Sequence, residues 1–243
     1  AETGIADYAL EVATVLADRY EIEWVADPAG PAPSAAVARQ FRVVTGKEFE
    51  SRHATRLFDL PVYHLGNNTF HRYMLPLMRR VPGLVVLHDA HLGGLFRSAN
   101  RAGVWPGSLV EELEYAGEPL LAEWAGNGYV HPDTVPTLSP VNRRALEALP
   151  GIVVHSRTAW RQVRATCDAA ASVVPLLAEV PATPFDMASE RRRLNLPSDA
   201  FLIATLGIVS PTKRVDVILR AAAALPTGLR ERARIVVAGP CEP

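Results

Sequence analysis

The sequence predicts an α/β protein in which helices cover a parallel sheet on both faces. Three observations favour this fold: brief runs rich in β-branched residues, helical patterns between them, and turn residues at their boundaries. Such alternation is typical of parallel sheets, because each crossover carries a helix back across the sheet. The predicted strands cover residues 21–26, 61–65, 84–87, 152–154, 172–176, 201–209 and 234–238.

Two segments show the spacing of amphipathic helices, in which apolar residues recur three and four positions apart. In residues 5–18 these apolar positions are Ile5, Tyr8, Val12, Val15 and Leu16. In the second segment they are Val215, Ile218, Leu219 and Ala222. Residues 92–149 are mostly helical in pattern and are interrupted by proline, glycine and asparagine turns.

The composition of the 243-residue chain is that of an ordinary globular protein, since 49% of its residues are hydrophobic and 21% are charged. The net charge of −1 does not favour nucleic-acid binding, and the arginine run 191–193 is interpreted as a solvated helix face. Cys167 and Cys241 have neither metal-ligand spacing nor the density of a disulfide scaffold, so a reducing, cytoplasmic location is expected.

A domain boundary is predicted near Val180, because residues 175–197 are rich in proline and charge and lose periodicity. Residues 1–179 would form a first domain that lacks its opening strand. Residues 180–243 would contain a linker and only the first strand, helix and strand of a second domain. So small a unit buries little surface by itself, and the chain does not begin with Met. A fragment, incomplete at both ends, is therefore expected.

Polar residues follow three of the predicted strands, at the edge of a parallel sheet where ligands bind. They are Asn67 and Asn68 after strand 61–65, His88 and Asp89 after strand 84–87, and His155 and Ser156 after strand 152–154. Three polar strand ends together predict a binding crevice.

Each of these residues also has a purely structural interpretation. Asn68, Asp89 and Ser156 have side chains that commonly cap a following helix, and His155 could be a buried histidine with its hydrogen bonds satisfied. The residues His88, Asp89 and His91 are of types that bind zinc or iron. No second compact cluster supplies further ligands, so no metal site is predicted.

A cationic turn follows the predicted strand 201–209. Lys213 and Arg214 stand just before the second amphipathic helix, with Pro211 near its predicted first position. Cations are unfavourable at that end of the helix dipole unless an anion joins them, and a phosphate fits this setting. The alternative interpretation is two exposed surface cations.

Four motifs, taken in order and spacing, resemble the family 4 retaining glycosyltransferases over essentially the whole chain. They are TGIADY at 3–8, YHLGNN at 63–68 followed by Phe70 and His71, VLHDAHL at 86–92, and residues 207–216. The resemblance implies the GT-B fold, in which two Rossmann-like domains enclose a nucleotide-sugar cleft.

The resemblance also implies roles for individual residues. Gly4 matches the first loop, whose backbone approaches the acceptor and the donor phosphates, and Lys213 with Arg214 matches the diphosphate site. His88, with Asp89 beside it, matches the histidine that contacts the donor sugar. Ile208 stands where the family often has an arginine, so either Arg214 substitutes or phosphate binding is weaker. The residues expected to line the acceptor or sugar cleft are Asn67, Asn68, His71, His155 and Ser156.

The implied reaction moves a sugar from a nucleotide-diphosphate sugar to an acceptor with retention, without a metal or a cofactor. The acceptor would be a carbohydrate, a lipid-linked molecule or a small molecule, and peripheral membrane contact stays open. The family's glutamate pair would lie beyond Pro243, so these residues alone are expected to be close to inactive. Three alternatives remain: a nucleotide-sugar epimerase on the same scaffold, a non-catalytic glycan- or partner-binding domain, and a metal hydrolase built on His88, Asp89 and His91.

Overall fold

The computed structural model describes residues 4–55, 58–177, 186–207, 209 and 213–240. The chain divides into two compact units, residues 1–178 and 179–243. The predicted boundary near Val180 falls within residues 178–185, outside the described residues. The predicted α/β architecture with parallel sheets is confirmed, since each strand pair in the described residues is parallel.

The first unit contains two parallel sheets. A two-stranded sheet is formed by β1 (Glu23–Ala26) and β2 (Arg42–Thr45). A four-stranded sheet has its strands in chain order, β3 (Val62–Leu65), β4 (Leu84–Leu87), β5 (Gly151–Val154) and β6 (Ala171–Val173). The sequence did not predict β2, because its four residues bury only Val44 and show no clear alternation.

Helices connect these strands and cover the sheet. Before the four-stranded sheet lie α1 (Gly4–Leu16), α2 (Ala35–Gln40) and α3 (Gly46–His53). A short 3₁₀ helix (Thr69–His71) and α4 (Met74–Arg80) join β3 to β4. The helical stretch predicted between β4 and β5 is confirmed as α5 (Gly93–Arg101), α6 (Leu109–Tyr115), α7 (Pro119–Gly126), α8 (Val135–Leu138) and α9 (Arg143–Leu146). The helix α10 (Arg157–Thr166) joins β5 to β6.

The core of the first unit lies on the four-stranded sheet and the helices packed on it. Leu65, Leu87 and Val154, which end three adjacent strands, are almost completely buried, as is Phe96 on α5. Burial of large apolar side chains is the main favourable contribution to folding. The positions of the strand ends are therefore fixed by a packed interior. Cys167 is free and buried in the same core, and Cys241 lies outside the described residues.

The first helix turns inward most of the face that the sequence predicted, together with two alanines. Ala9 and Ala13 are its buried residues, whereas Val15 and Leu16 are 62% and 41% exposed. The other three predicted apolar residues, Ile5, Tyr8 and Val12, are half-buried, so the prediction fails only at the last turn of the helix. The helix also ends at Leu16, two residues before the predicted end.

The second unit is described as two parallel strands with three helices. In chain order it contains α11 (Met187–Arg193), β7 (Phe201–Leu206), α12 (Val215–Ala223), α13 (Thr227–Arg232) and β8 (Ala233–Ala238). The prediction that the first strand runs to residue 209 was wrong, because Gly207 has a φ of 112° and turns the chain. Among its described apolar residues only Ala200 and Ala222 are buried.

The arginine run 191–193 lies on an exposed helix, as predicted, since α11 has no buried residue. Arg191 donates hydrogen bonds to the backbone oxygens of Pro197 and Ala200, both at 3.1 Å. The run therefore has a structural use at the end of its helix. In the described part of the chain, no helix combines the length and the apolar character needed to cross a membrane.

Candidate functional site

The register of the four-stranded sheet brings two predicted site histidines together. Leu87 pairs with Val154, so the next residues, His88 and His155, leave neighbouring strands side by side. Their ring centroids are 4.9 Å apart. The predicted crevice therefore has two histidines at the carboxyl end of β4 and β5.

A third histidine, His64 on β3, joins this pair. Its Nδ1 lies 3.2 Å from Nε2 of His88, which is hydrogen-bonding distance. In a neutral pair one of these nitrogens carries the proton and the other accepts it. His64 was not among the predicted site residues, although it lies in the YHLGNN motif.

Tyr8 on α1 packs its ring against all three histidines. Its ring centroid is 5.9 Å from that of His64, 5.2 Å from that of His88 and 5.1 Å from that of His155, in edge-to-face arrangements. Aromatic pairs favour this geometry. We call these four side chains, Tyr8, His64, His88 and His155, the histidine cluster.

The histidine cluster holds at least two of its imidazoles neutral near pH 7. Burial, followed by repulsion from the other histidines, lowers the pKa of His64 to about 4. Burial and repulsion from His155 likewise lower the pKa of His88 to about 4, although Asp89 opposes the shift. Two neutral rings offer both hydrogen-bond donors and acceptors without a net charge.

His155 presents one unused acceptor in this cluster. Its Nδ1 lies 2.9 Å from the backbone oxygen of Val174, which can only accept, so Nδ1 carries the proton. In the neutral ring Nε2 then has a free lone pair. That atom is buried and has no hydrogen-bond partner in the described residues. The interpretation of His155 as fully satisfied was therefore wrong for one of its two nitrogens.

Asp89 does not cap a helix, because Leu92 holds the N-cap position of α5 and makes no side-chain cap. The carboxylate accepts a hydrogen bond from the backbone N–H of Asn67 at 2.8 Å. This bond ties the loop after β4 to the loop after β3. Asp89 is exposed, and its second oxygen accepts no hydrogen bond from a described residue.

His71 is 5% exposed, at the end of the 3₁₀ helix. Burial lowers its pKa, whereas the backbone of His64 and the Asp89 carboxylate oppose the shift. Neither ring nitrogen makes a well-formed hydrogen bond to a described residue. A side chain on Gly66 would approach both His71 and Asp89, so glycine leaves room for these two groups.

Three other predicted cleft residues support the backbone. Asn68 caps the 3₁₀ helix by accepting from the N–H of Phe70 at 2.9 Å, and Ser156 caps α10 by accepting from Ala159 at 3.1 Å. Their structural interpretation is confirmed. Asn67 accepts from the N–H of Leu95 at 2.8 Å, so its side-chain oxygen fixes the start of α5.

His91 does not belong to the histidine cluster. It lines a separate cavity of about 330 Å³. Its Nε2 lies 3.1 Å from the amide of Gln162, and both side chains line the cavity. His91 therefore has a different hydrogen-bonding partner from the histidines of the cluster. No group of three or more metal-binding side chains is found among the described residues.

Buried Asn142 holds the loop that follows β4. Its amide donates to the backbone oxygen of Ala90 at 2.8 Å, and its Oδ1 accepts from Thr166 at 2.7 Å. The preceding Val141 has a φ of 48°, which is strained for a β-branched residue. This network links the loop that carries His88 to α10.

The predicted cationic turn of the second unit lies between β7 and α12. Lys213 is exposed and makes no ion pair with a described residue. A Cβ atom added to Gly207 would lie 4.0 Å from Cε of Lys213. Arg214 precedes the first residue of α12 with a φ of 51°, and its Nε lies 3.4 Å from Asp216. Pro211, predicted near the first position of this helix, lies outside the described residues, and α12 begins at Val215.

Two glycines bring the chain segments after β7 and β8 together. Gly239 has a φ of 151°, and a Cβ there would overlap the backbone oxygen of Gly207. Hydrogen bonds continue past the strands, from the N–H of Val209 to the oxygen of Pro240 at 2.8 Å. The two glycines therefore allow the backbones after β7 and β8 to approach closely.

Gly4 begins α1 and is exposed, with no atom within 4 Å of a Cβ built on it. The structure thus leaves open space beside the backbone at this position. Thr3, the first residue of the motif, lies outside the described residues, as does Ile208, where the family often has an arginine.

Comparison with known proteins gives one local similarity. Over 60 residues the chain is 45% identical to a Stackebrandtia nassauensis protein named D-inositol 3-phosphate glycosyltransferase. The match covers 24% of this chain and 14% of that protein's length. No family model matches the chain. No solved structure matches it either. The chain therefore matches only a small part of that protein's length, in one local stretch.

Proposed function

We propose that the chain serves a retaining glycosyltransferase that uses a nucleotide-diphosphate sugar, without a metal or a cofactor. The observation that carries this proposal is Lys213, an exposed cation at the carboxyl end of β7 and beside the start of α12. The local similarity to a named glycosyltransferase supports it. Under this proposal the chain has the GT-B fold of family 4 and works in the cytoplasm.

The donor diphosphate would bind at the turn before α12. Lys213 supplies a positive charge that no described carboxylate neutralises, and the helix start adds unpaired backbone N–H groups. As the sugar leaves, negative charge grows on the diphosphate, and fixed positive groups stabilise that charge. Arg214 can turn from Asp216 to the ligand, because their ion pair is exposed and weak.

The sugar and the acceptor would bind at the carboxyl end of the sheet in the first unit, which makes residues 1–178 the acceptor-side unit. Neutral His88 and the free Nε2 of His155 suit hydroxyl groups, which both donate and accept hydrogen bonds. His88 would contact the sugar, and Asp89 would hold the loop beside it through its bond to Asn67.

Calorimetric titration of UDP, GDP and ADP into the chain tests the diphosphate site. We expect one of the three to bind best, and Lys213→Ala to weaken its binding by about 1–3 kcal/mol, the loss of a charge-assisted contact. Lys47→Ala is the matched control, since Lys47 is the other lysine of the chain, is exposed, and lies on α3. Equal affinity of the two variants would contradict the assignment of Lys213.

His88→Ala tests the sugar site in an assay of nucleotide-sugar turnover by the protein that contains this chain. We expect turnover to fall more than nucleotide affinity, because His88 would contact the sugar and not the nucleotide. His131→Ala is the control, since that side chain is 72% exposed and lies outside the histidine cluster. Equal losses in turnover and affinity would count against this role. If no nucleotide binds and no turnover occurs, a glycan- or partner-binding domain becomes the better proposal.

A further inference from the structure

A second polar cleft lies on the flank of the first unit, between the 3₁₀ helix and the last turns of α5. Its volume is about 300 Å³, and it is lined by Thr69, Arg72, Ser98, Arg101 and Ala102. We call it the arginine cleft. None of these residues belongs to the histidine cluster or to the turn that carries Lys213, so the proposed function leaves it without a role.

The charged groups of the arginine cleft are all positive. Arg72 and Arg101 line it, and neither makes an ion pair with a described residue. Nearby arginines are engaged differently: Arg97 pairs with Asp133 at 3.2 Å, and Arg79 stacks on the ring of Trp105. No carboxylate is among the residues that line the cleft. Two uncompensated guanidinium groups at one cleft favour an anionic ligand.

A buried hydroxyl gives independent support for a ligand. The Oγ atom of Ser98 is buried and has no hydrogen-bond partner in the described residues. Buried polar atoms are nearly always hydrogen-bonded, so an unpaired one needs an explanation. The Thr69 hydroxyl lines the same cleft and makes no hydrogen bond of its own to a described group. Ser98 lines the cleft, and rotation of its hydroxyl toward a bound oxygen would give that hydroxyl an acceptor.

We propose that the arginine cleft binds a phosphate group. The two guanidinium groups and two hydroxyls can donate more hydrogen bonds than the two oxygens of a carboxylate use. A phosphate monoester has three terminal oxygens and can accept more of these bonds. The end of α5 adds a partial negative charge of about one half, which two full positive charges outweigh. The phosphate belongs either to a soluble phosphorylated molecule or to a phospholipid headgroup.

Titration of the chain with glycerol 3-phosphate, and separately with phosphatidylcholine vesicles with or without phosphatidic acid, tests this site. The variants are Arg72→Gln, Arg101→Gln and Ser98→Ala, and Arg19→Gln is the control, an exposed arginine after α1 without an ion pair to a described residue. We expect each arginine variant to weaken phosphate binding roughly tenfold or more, and Ser98→Ala to weaken it less. The control should bind as the unchanged chain does.

The two titrations identify the source of the phosphate. Saturable binding of glycerol 3-phosphate that the arginine variants lose assigns a soluble ligand. Binding only to phosphatidic-acid vesicles, lost in the same variants, assigns a headgroup. If neither probe binds, or if the arginine variants bind like Arg19→Gln while keeping its melting temperature, the proposal is wrong. Lys213→Ala should leave this binding unchanged, which separates a failure here from a failure of the proposed diphosphate site.

Discussion

In the first unit the candidate site consists of packed rings, whereas in the second unit it consists of exposed cations and turning backbone. His64 and His88 are held neutral by burial, while Lys213 and Arg214 are exposed. The difference follows from the interior of each unit. In the first unit Leu65, Leu87 and Val154 fix the strand ends beneath the rings, but the second unit buries only Ala200 and Ala222 among its described apolar residues.

A site can therefore be positioned either by packing or by local backbone conformation. The histidine cluster depends on the register of three strands and on the position of a helix. Its members come from α1, from β3 and from the residues that follow β4 and β5. In the second unit, the ends of β7 and β8 are instead followed by Gly207 and Gly239, whose positive φ values other residues rarely adopt. Variants should therefore affect the two units through different mechanisms.

The largest expected effect concerns the two interiors. Phe96→Ala should lower the free energy of unfolding of the first unit by about 3–5 kcal/mol, because the ring is completely buried and leaves a cavity. Leu219→Ala, on α12, should cost less than about 1 kcal/mol, since that side chain is 50% exposed. Chemical denaturation followed by hydrogen exchange in each unit measures both. Similar losses in the two variants would contradict the proposed difference between the two interiors.

The next effect is the pH dependence of stability. The pKa values of His64 and His88 lie below that of an unfolded histidine, about 6.5, so the unfolded chain binds more protons between pH 6.5 and about 4. The stability that neutral rings provide is complete above pH 6.5 and is lost as the pH falls to about 4. The loss should be on the order of 3 kcal/mol for His64 and smaller for His88, which is partly exposed.

Unfolding curves of His64→Gln and of the control His131→Gln, collected from pH 7 to pH 4, test this dependence. The His64 variant should lose part of the pH-dependent change, and the exposed His131 variant should not. All seven histidines lie in residues 1–178, so the second unit should show no histidine-dependent change in this range. A pH dependence unaltered by His64→Gln would contradict the neutral cluster.

The smallest effect compares the starts of α10 and α12. Ser156→Ala should cost about 1 kcal/mol, because the side chain caps α10 through Ala159. Arg214→Gly should instead stabilise α12 by up to about 1 kcal/mol, because Arg214 holds a left-handed conformation and makes no side-chain cap. Thermal melts of both variants measure whether stability falls in Ser156→Ala and rises in Arg214→Gly. A loss of stability in Arg214→Gly would show that its side chain stabilises the turn.

Much of the architecture could be predicted from local patterns. The strand 84–87 was predicted with its observed bounds, since all four of its residues are apolar, three of them are buried, and it lies between two other strands. The strand β2 was missed because only Val44 points into the unit. The predicted strand 201–209 was too long, because apolar residues continue past the turn at Gly207. Local sequence patterns predict a strand from a run of apolar residues that polar or turn residues interrupt. They fail for a short strand with few buried residues, and for a turn that is followed by further apolar residues.

The candidate site was predictable only in part, for a related reason. His88 and His155 could be predicted because each directly follows a strand, where parallel sheets bind ligands. His64 lies inside β3 and Tyr8 inside α1, so neither stands at a strand end. Their membership of the YHLGNN and TGIADY motifs was the available signal. Asn68 and Ser156 had the right position for a site, but their side chains cap helices.

The sequence by itself determined the alternation of strands and helices, the polar strand ends and the cations before α12, because these depend on residue type and spacing along the chain. Only the tertiary structure decided which polar groups meet. Strand register placed His88 beside His155 and within reach of His64, and it left His91 at another cavity. Packing also decided charge, since burial keeps His64 and His88 neutral while Lys213 stays exposed.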